Sequence, residues 1–287
     1  MITKHTASVA AMFSALLFLL TASAYADPLT RDEVVSVASM YSNLKWFCKR
    51  TNAGKGYNLL TPGKQYKGVP YNWGGFDSTD KFVKKVNKGV IAGNYKKRCG
   101  KNLCVRQDFA GLDCSGLVSH SWGISRYTTS TFPYISIKIP QELLQPGDIL
   151  NSENKHVMLF DKFDDDNQMW VYESAVWVRS KNAPPAGVVY RSVDVGDEYV
   201  PRRYYKFIKK GERVKTDKTI IALRQLKGKE KLYIPAGMMG EILKDPKFRN
   251  NGRKSRTPSD VWVYVKFAND MQGWVTIRHL TLANAKD

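Results

Sequence analysis

Histidine, cysteine and acidic residues are the scarce materials of this chain. Its 287 residues hold four His and four Cys, and 26 Asp+Glu stand against 45 Lys+Arg, for a net charge of +19. Four cysteines without paired C-x-x-C spacing exclude the usual zinc ligand sets, so no metal or other cofactor is expected. Beyond the N-terminus no apolar run approaches the ~20 residues of a membrane-crossing helix. No long internal repeat is present and no low-complexity segment follows the N-terminal residues. No nucleic-acid-binding motif occurs either, so nucleic acid is not an expected partner.

What is present begins with a leader. Lys4, an apolar block from Val9 to Leu20 and the small-x-small triplet Ala24-Tyr25-Ala26 form a secretory signal peptide over residues 1–26, cleaved after Ala26. The remainder is expected to be periplasmic or secreted, with no transmembrane segment. Cleavage removes only Lys4 among the charged residues, leaving a net charge of +18. Such an excess suits a polyanionic neighbour, namely anionic wall polymers or lipid headgroups. It is concentrated between Arg202 and Arg256, where 18 Lys+Arg face 5 Asp+Glu.

Periods of three and four in Val34, Val37, Ala38, Tyr41 and Leu44 predict a helix within an N-terminal segment at 27–65. A catalytic domain is expected over 66–209, with an insertion at 76–107 that carries an amphipathic helix near Thr79–Lys88. A second helix is expected from Asp113 to about Trp122, followed by short strands that include Lys155–Phe160 and Met169–Ser174, joined by the Asp164-Asp165-Asp166-Asn167 turn. One helix followed by a run of strands predicts an α+β domain in which the helix packs on an antiparallel sheet. Composition shifts at Lys209-Lys210-Gly211, and the short strands beyond predict a small β-barrel over 210–287.

The chemistry centres on Leu112-Asp113-Cys114-Ser115-Gly116-Leu117. Asp113 is an N-cap type, so Cys114 falls in the first turn of a helix, where free backbone N–H groups and the helix dipole favour a thiolate. A cysteine nucleophile needs a base, and histidine is the side chain that titrates near neutrality. After the leader there are three, His120, His156 and His279. His120 lies six residues past Cys114 on the same helix, a rotation of about 600° that turns it to another face. His279 belongs to the C-terminal tract. His156, opening an apolar strand, is left as the base. The antiparallel return strand brings Glu173 back past it as the group that orients the ring. Cys99 and Cys104 are spaced for a disulfide across a four-residue turn, and Cys48 is unassigned.

These motifs in this order, with Tyr71-x-Trp73-Gly74-Gly75 before them and Pro146-Gly147-Asp148-Ile149 and His156-Val157 after, resemble the NlpC/P60 cell-wall peptidases over roughly residues 60–180. The resemblance implies a papain-like α+β fold. It implies hydrolysis of peptidoglycan stem peptides at the D-γ-glutamyl bond to diaminopimelate or lysine, with Cys114 as nucleophile and His156 as base. It also implies that Tyr71, Trp73, Asp113 and Ser115 line the substrate site. The chain departs from the family in having Glu173 where a His, Asn or Gln is usual, and in the long 76–107 stretch. The tract ending Gln272-Gly273-Trp274-Val275 resembles a bacterial SH3-like domain. Two other readings stay open: an N-acetylmuramoyl-L-alanine amidase or acyl-transferase using the same pair, and a wall- or polyanion-binding protein without activity.

Overall fold

A computed structural model describes residues 29–53, 60–94, 98–99, 102–103, 108–176, 186–226, 229–250 and 259–284. The expected leader and Cys104, and with Cys104 the suggested disulfide, lie outside the described residues.

Helical periodicity is confined to three short α-helices among the described residues: α1 (Arg31–Asn43), α2 (Thr79–Asn87) and α3 (Cys114–Ser121). α1 starts at a capping box in which the Thr30 hydroxyl accepts from the Glu33 N–H and the Glu33 carboxylate accepts from Thr30. α2 and α3 have the one-way cap alone: Ser78 accepts from the Lys81 N–H and Asp113 from the Gly116 N–H.

Most of the rest is strand. Thirteen strands form one sheet. Its first half runs, in spatial order, Gly187–Val193, Met169–Ala175, His156–Phe163, Ile149–Ser152, Val200–Tyr204, Ser136–Lys138. It continues through Leu280–Leu282, Arg213–Thr216, Met239–Arg249, Asp260–Phe267, Gln272–Thr276, Ile220–Leu223 and Lys231–Ile234. All the pairings within this sheet are antiparallel except Lys138 with Thr281, which is parallel and joins the two halves.

The papain-like α+β architecture with a separate SH3-like barrel is therefore corrected: the structure is mainly one large mixed sheet with three short helices. The physical reason lies in two features. Alternating β-branched and aromatic residues extend through most of the chain after Ser136, so strand outweighs helix. The composition shift near residue 210 does not interrupt backbone pairing either. The terminal strand Leu280–Leu282 returns between Arg213–Thr216 and Ser136–Lys138 and carries the ladder across.

The core runs from the contact of α1 and α3 with the first half of the sheet on into the second half, through Val214, Ile242, Val263 and Leu280. Trp122, just past α3, is 1% exposed; it stacks on Tyr204 at 4.6 Å, meets Phe132 edge-on and donates from Nε1 to the Gly147 carbonyl at 2.9 Å. That bond ties the helix to the Pro146-Gly147-Asp148 turn. Asp148 is wholly buried and accepts from Arg31 Nη1 and Arg203 Nη2, each at 3.0 Å, fixing the start of α1 to the strand Val200–Tyr204. Among the described residues no helix is long and apolar enough to cross a membrane.

Candidate active site

Cys114 is the first residue of α3 and is 8% exposed. The cap beneath it is saturated. Asp113 Oδ1 accepts from the Gly116 N–H at 2.7 Å and the Ser115 hydroxyl at 2.9 Å. Its Oδ2 accepts from the Gly74 N–H at 3.1 Å and from Arg126 Nη2 at 2.5 Å. Arg126 also donates to the Gly74 and Gly75 carbonyls. A single carboxylate thus welds the Trp73-Gly74-Gly75 loop to the helix start. Asp113 and Ser115 spend their polar atoms on this weld; the geometry gives them the task of holding Cys114 rather than of presenting free groups to a ligand.

Close backbone contact requires glycine here. Gly111, just before the cap, has φ +140°, and a Cβ on it would lie 2.3 Å from the Pro70 carbonyl oxygen.

Tyr71 lies beside the cysteine, its backbone bridged to Leu112. Burial, and then the charges of Cys114 and Asp113, push its phenol well above the ordinary tyrosine range. It is therefore a neutral O–H donor at every physiological pH. Trp73 is partly exposed, and its backbone N–H donates to the Asn94 carbonyl at 2.6 Å. Tyr71, Asp113, Cys114 and Ser115 are thus brought to the start of one helix, and Trp73 to the loop fastened against it.

α3 packs on the strands His156–Phe163 and Met169–Ala175. Tyr172 pairs with Leu159, so His156 and Glu173 fall on the other face as diagonal neighbours. His156 Nε2 donates to Glu173 Oε2 at 2.7 Å. Cys114 acts on the same ring, its hydrogen bond and charge both favouring the imidazolium. Burial opposes charge on His156, but the hydrogen bonds to Cys114 and Glu173 and the charges of both outweigh it, and the pKa is pushed up to about 10.

Glu173 is 2% exposed. Burial raises its carboxyl, yet the His156 hydrogen bond and the charges of His156 and Arg191 prevail and hold it below its ordinary value. Its second oxygen accepts from Arg191 Nε at 2.5 Å. The chain thus builds a continuous line of Cys114, His156, Glu173 and Arg191. The other two histidines stand apart from it. His120 stacks on Phe76 at 4.0 Å, and His279 lies near the C-terminal strand.

Three residues at this site had no clear signal in the sequence. Arg191 shares a sheet face with Glu173 because it pairs with Val171 on the neighbouring strand. Its only sequence mark is that position in an alternating strand. Tyr199 meets the His156 ring edge-on at 6.5 Å, and its phenol is raised by burial and then by the charges of Glu173, Glu198 and Cys114. Arg126 lies on a loop past α3 and carries no pattern at all.

A cysteine hydrogen-bonded to a carboxylate-oriented imidazole, at a helix start and beside a neutral phenol, can perform acyl transfer: nucleophile, proton carrier and oxyanion donor are all present. Among the described residues no group of three or more His, Cys, Asp or Glu is arranged to hold a metal ion. In comparisons with known proteins, no family model, curated protein or solved structure matches the chain.

Proposed function

We propose that this protein is an exported cysteine hydrolase that cleaves the stem peptides of peptidoglycan, at the D-γ-glutamyl bond to diaminopimelate or lysine. The observation that carries the reading is the Cys114–His156–Glu173 line at the start of α3. The order of the Trp-Gly-Gly, Asp-Cys-Ser-Gly, Pro-Gly-Asp and His-Val motifs supports the substrate class, as does the basic charge.

In this reading His156 already holds the proton of Cys114 as an imidazolium, and the Cys114 sulfur attacks the scissile carbonyl. The carbonyl oxygen becomes an oxyanion facing the backbone N–H of Cys114 and the Tyr71 hydroxyl. His156 then protonates the leaving amine as the C–N bond breaks, which leaves a thioester on Cys114. Water, deprotonated by His156, hydrolyses the thioester and frees the Cys114 sulfur. Glu173 keeps the ring in place and stabilises the imidazolium at both proton transfers. Arg191 and Arg126 act at one remove, the first on Glu173 and the second on the Asp113 cap.

The test is incubation with muropeptides of known stem composition followed by mass spectrometry, with Cys114→Ala as control. A new diaminopimelate or lysine amino end that the control lacks supports the proposal. A new L-alanine amino end identifies an amidase with the same dyad. Intact stems across the panel refute hydrolysis of this substrate class.

A further inference from the structure

A cleft of about 590 Å³ opens among the C-terminal strands. Its volume is in the range of small-molecule sites and equals that of about twenty waters, so it is far too roomy for one bare ion. Lys218, Arg249 and Arg278 line it together with Trp262, Asp260 and His279. Lys218 and Arg249 are exposed and have no ion-pair partner among the described residues. Arg278 lies over the Tyr134 ring at 4.9 Å, and its Nε is 3.6 Å from Asp260 Oδ2, beyond hydrogen-bond reach. That Nε and the indole Nε1 of Trp262 are buried N–H donors without an acceptor among the described residues. Buried donors left unpaired are costly, and native structures keep few of them.

Three cations therefore face a single carboxylate across one concave surface whose walls hold more donors than acceptors. Burial, then the charges of Lys218 and Arg278 against that of Asp217, hold the His279 imidazole down to about 4, so it stays neutral beside the cleft. The excess of cations on the concave wall is what attracts an anion.

We propose that this cleft is an anion site, taking an oxyanion carried on a sugar- or polyol-sized body. The guanidinium of Arg278 at the floor engages the oxyanion through its planar donor fork, and Lys218 and Arg249 neutralise it from the rim. The same chemistry comes from two sources, a phosphate on a polyol or a carboxylate on a sugar acid. Neither source depends on the cysteine chemistry of the first half.

Calorimetry on the purified protein at low salt tests this, with glycerol phosphate and glucuronate as probes and glycerol and glucose as neutral controls. One or both anionic probes should bind saturably, and the tighter of the two identifies the source. The Trp262 indole N–H resonance should move during the titration. In the variant carrying Lys218→Ala and Arg249→Ala, affinity should fall by about tenfold or more, with the loss shrinking as salt rises. Both side chains are exposed, so this variant keeps its fold and the test does not rest on Arg278→Gln alone. The proposal is overturned if neither anion binds, if the double variant binds with undiminished affinity, or if Trp262 is unmoved while heat is released.

Discussion

Replacing Glu173 by Gln exchanges a buried carboxylate for an amide of nearly equal volume. In the native site the carboxylate is 2% exposed and holds His156 at 2.7 Å and Arg191 at 2.5 Å. The amide offers one acceptor oxygen to two donors and presents N–H groups to the other. Removing one partner of a buried pair costs about 3–5 kcal/mol. Arg191 has 52% of its side chain exposed and can turn to water, which places the cost at the lower end, about 3 kcal/mol. Falling on the imidazolium form of His156, a loss of about 3 kcal/mol corresponds to about two pH units.

His156 stands near 10 in the native site, raised against burial by Cys114 and Glu173. Under the proposed function, activity that needs the imidazolium should persist well above neutrality in the native protein and fail earlier in the variant. The assay is kcat/KM against pH on a stem peptide, paired with an NMR titration of the His156 ring. The alkaline limb and the ring titration should both move to lower pH by about two units. If both stay in place in a folded variant, Glu173 does not act through His156 and the reasoning fails.

Other consequences are equally open to measurement. The raised His156 contributes stability that is complete below about pH 6.5 and is lost as pH rises through about 10. The lowered Glu173 contributes stability that is present above about pH 4.5 and is lost as pH falls through its folded value. Urea unfolding should accordingly give a higher free energy near pH 6 than near pH 10, with His156→Ala flattening that slope. Asp148→Asn strips the carboxylate from Arg31 and Arg203 in the core and should lower stability by about 3–5 kcal/mol in a urea titration. Arg191→Gln removes a partner half in water and should cost no more than about 1 kcal/mol by the same method, with the alkaline limb moving less than in Glu173→Gln. Trp122→Ala opens the packing against Tyr204 and Phe132 and should cost about 3–5 kcal/mol.

The local elements around the site were legible because short-range chemistry specifies them. Asp113 announces a helix start, the Asp164–Asn167 turn sets the return of Glu173 past His156, and helical rotation removes His120. The whole architecture was not legible. The parallel pairing of Lys138 with Thr281 joins residues far apart in sequence, and neither carries a sign of the other. A shift in charge composition suggested a break, but backbone ladders are indifferent to side-chain charge at the surface. Arg126 and Arg191 were missed for a related reason. Each acts through one long side chain reaching a carboxylate on another element, and only the assembled fold brings them within 2.5 Å of it. Asp113 shows the converse limit: the motif located it, but its four donors could be counted only in the structure.

The proposed hydrolysis requires that Cys114 carry an acyl group during turnover. Rapid acid quench of the protein with a stem peptide, followed by intact-protein and peptide mass spectrometry, tests this. The account predicts a mass increase equal to the acyl half of the substrate on the peptide containing Cys114, absent in Cys114→Ala. An unmodified Cys114 during turnover, with Cys114→Ala still cleaving at the native rate, would contradict it.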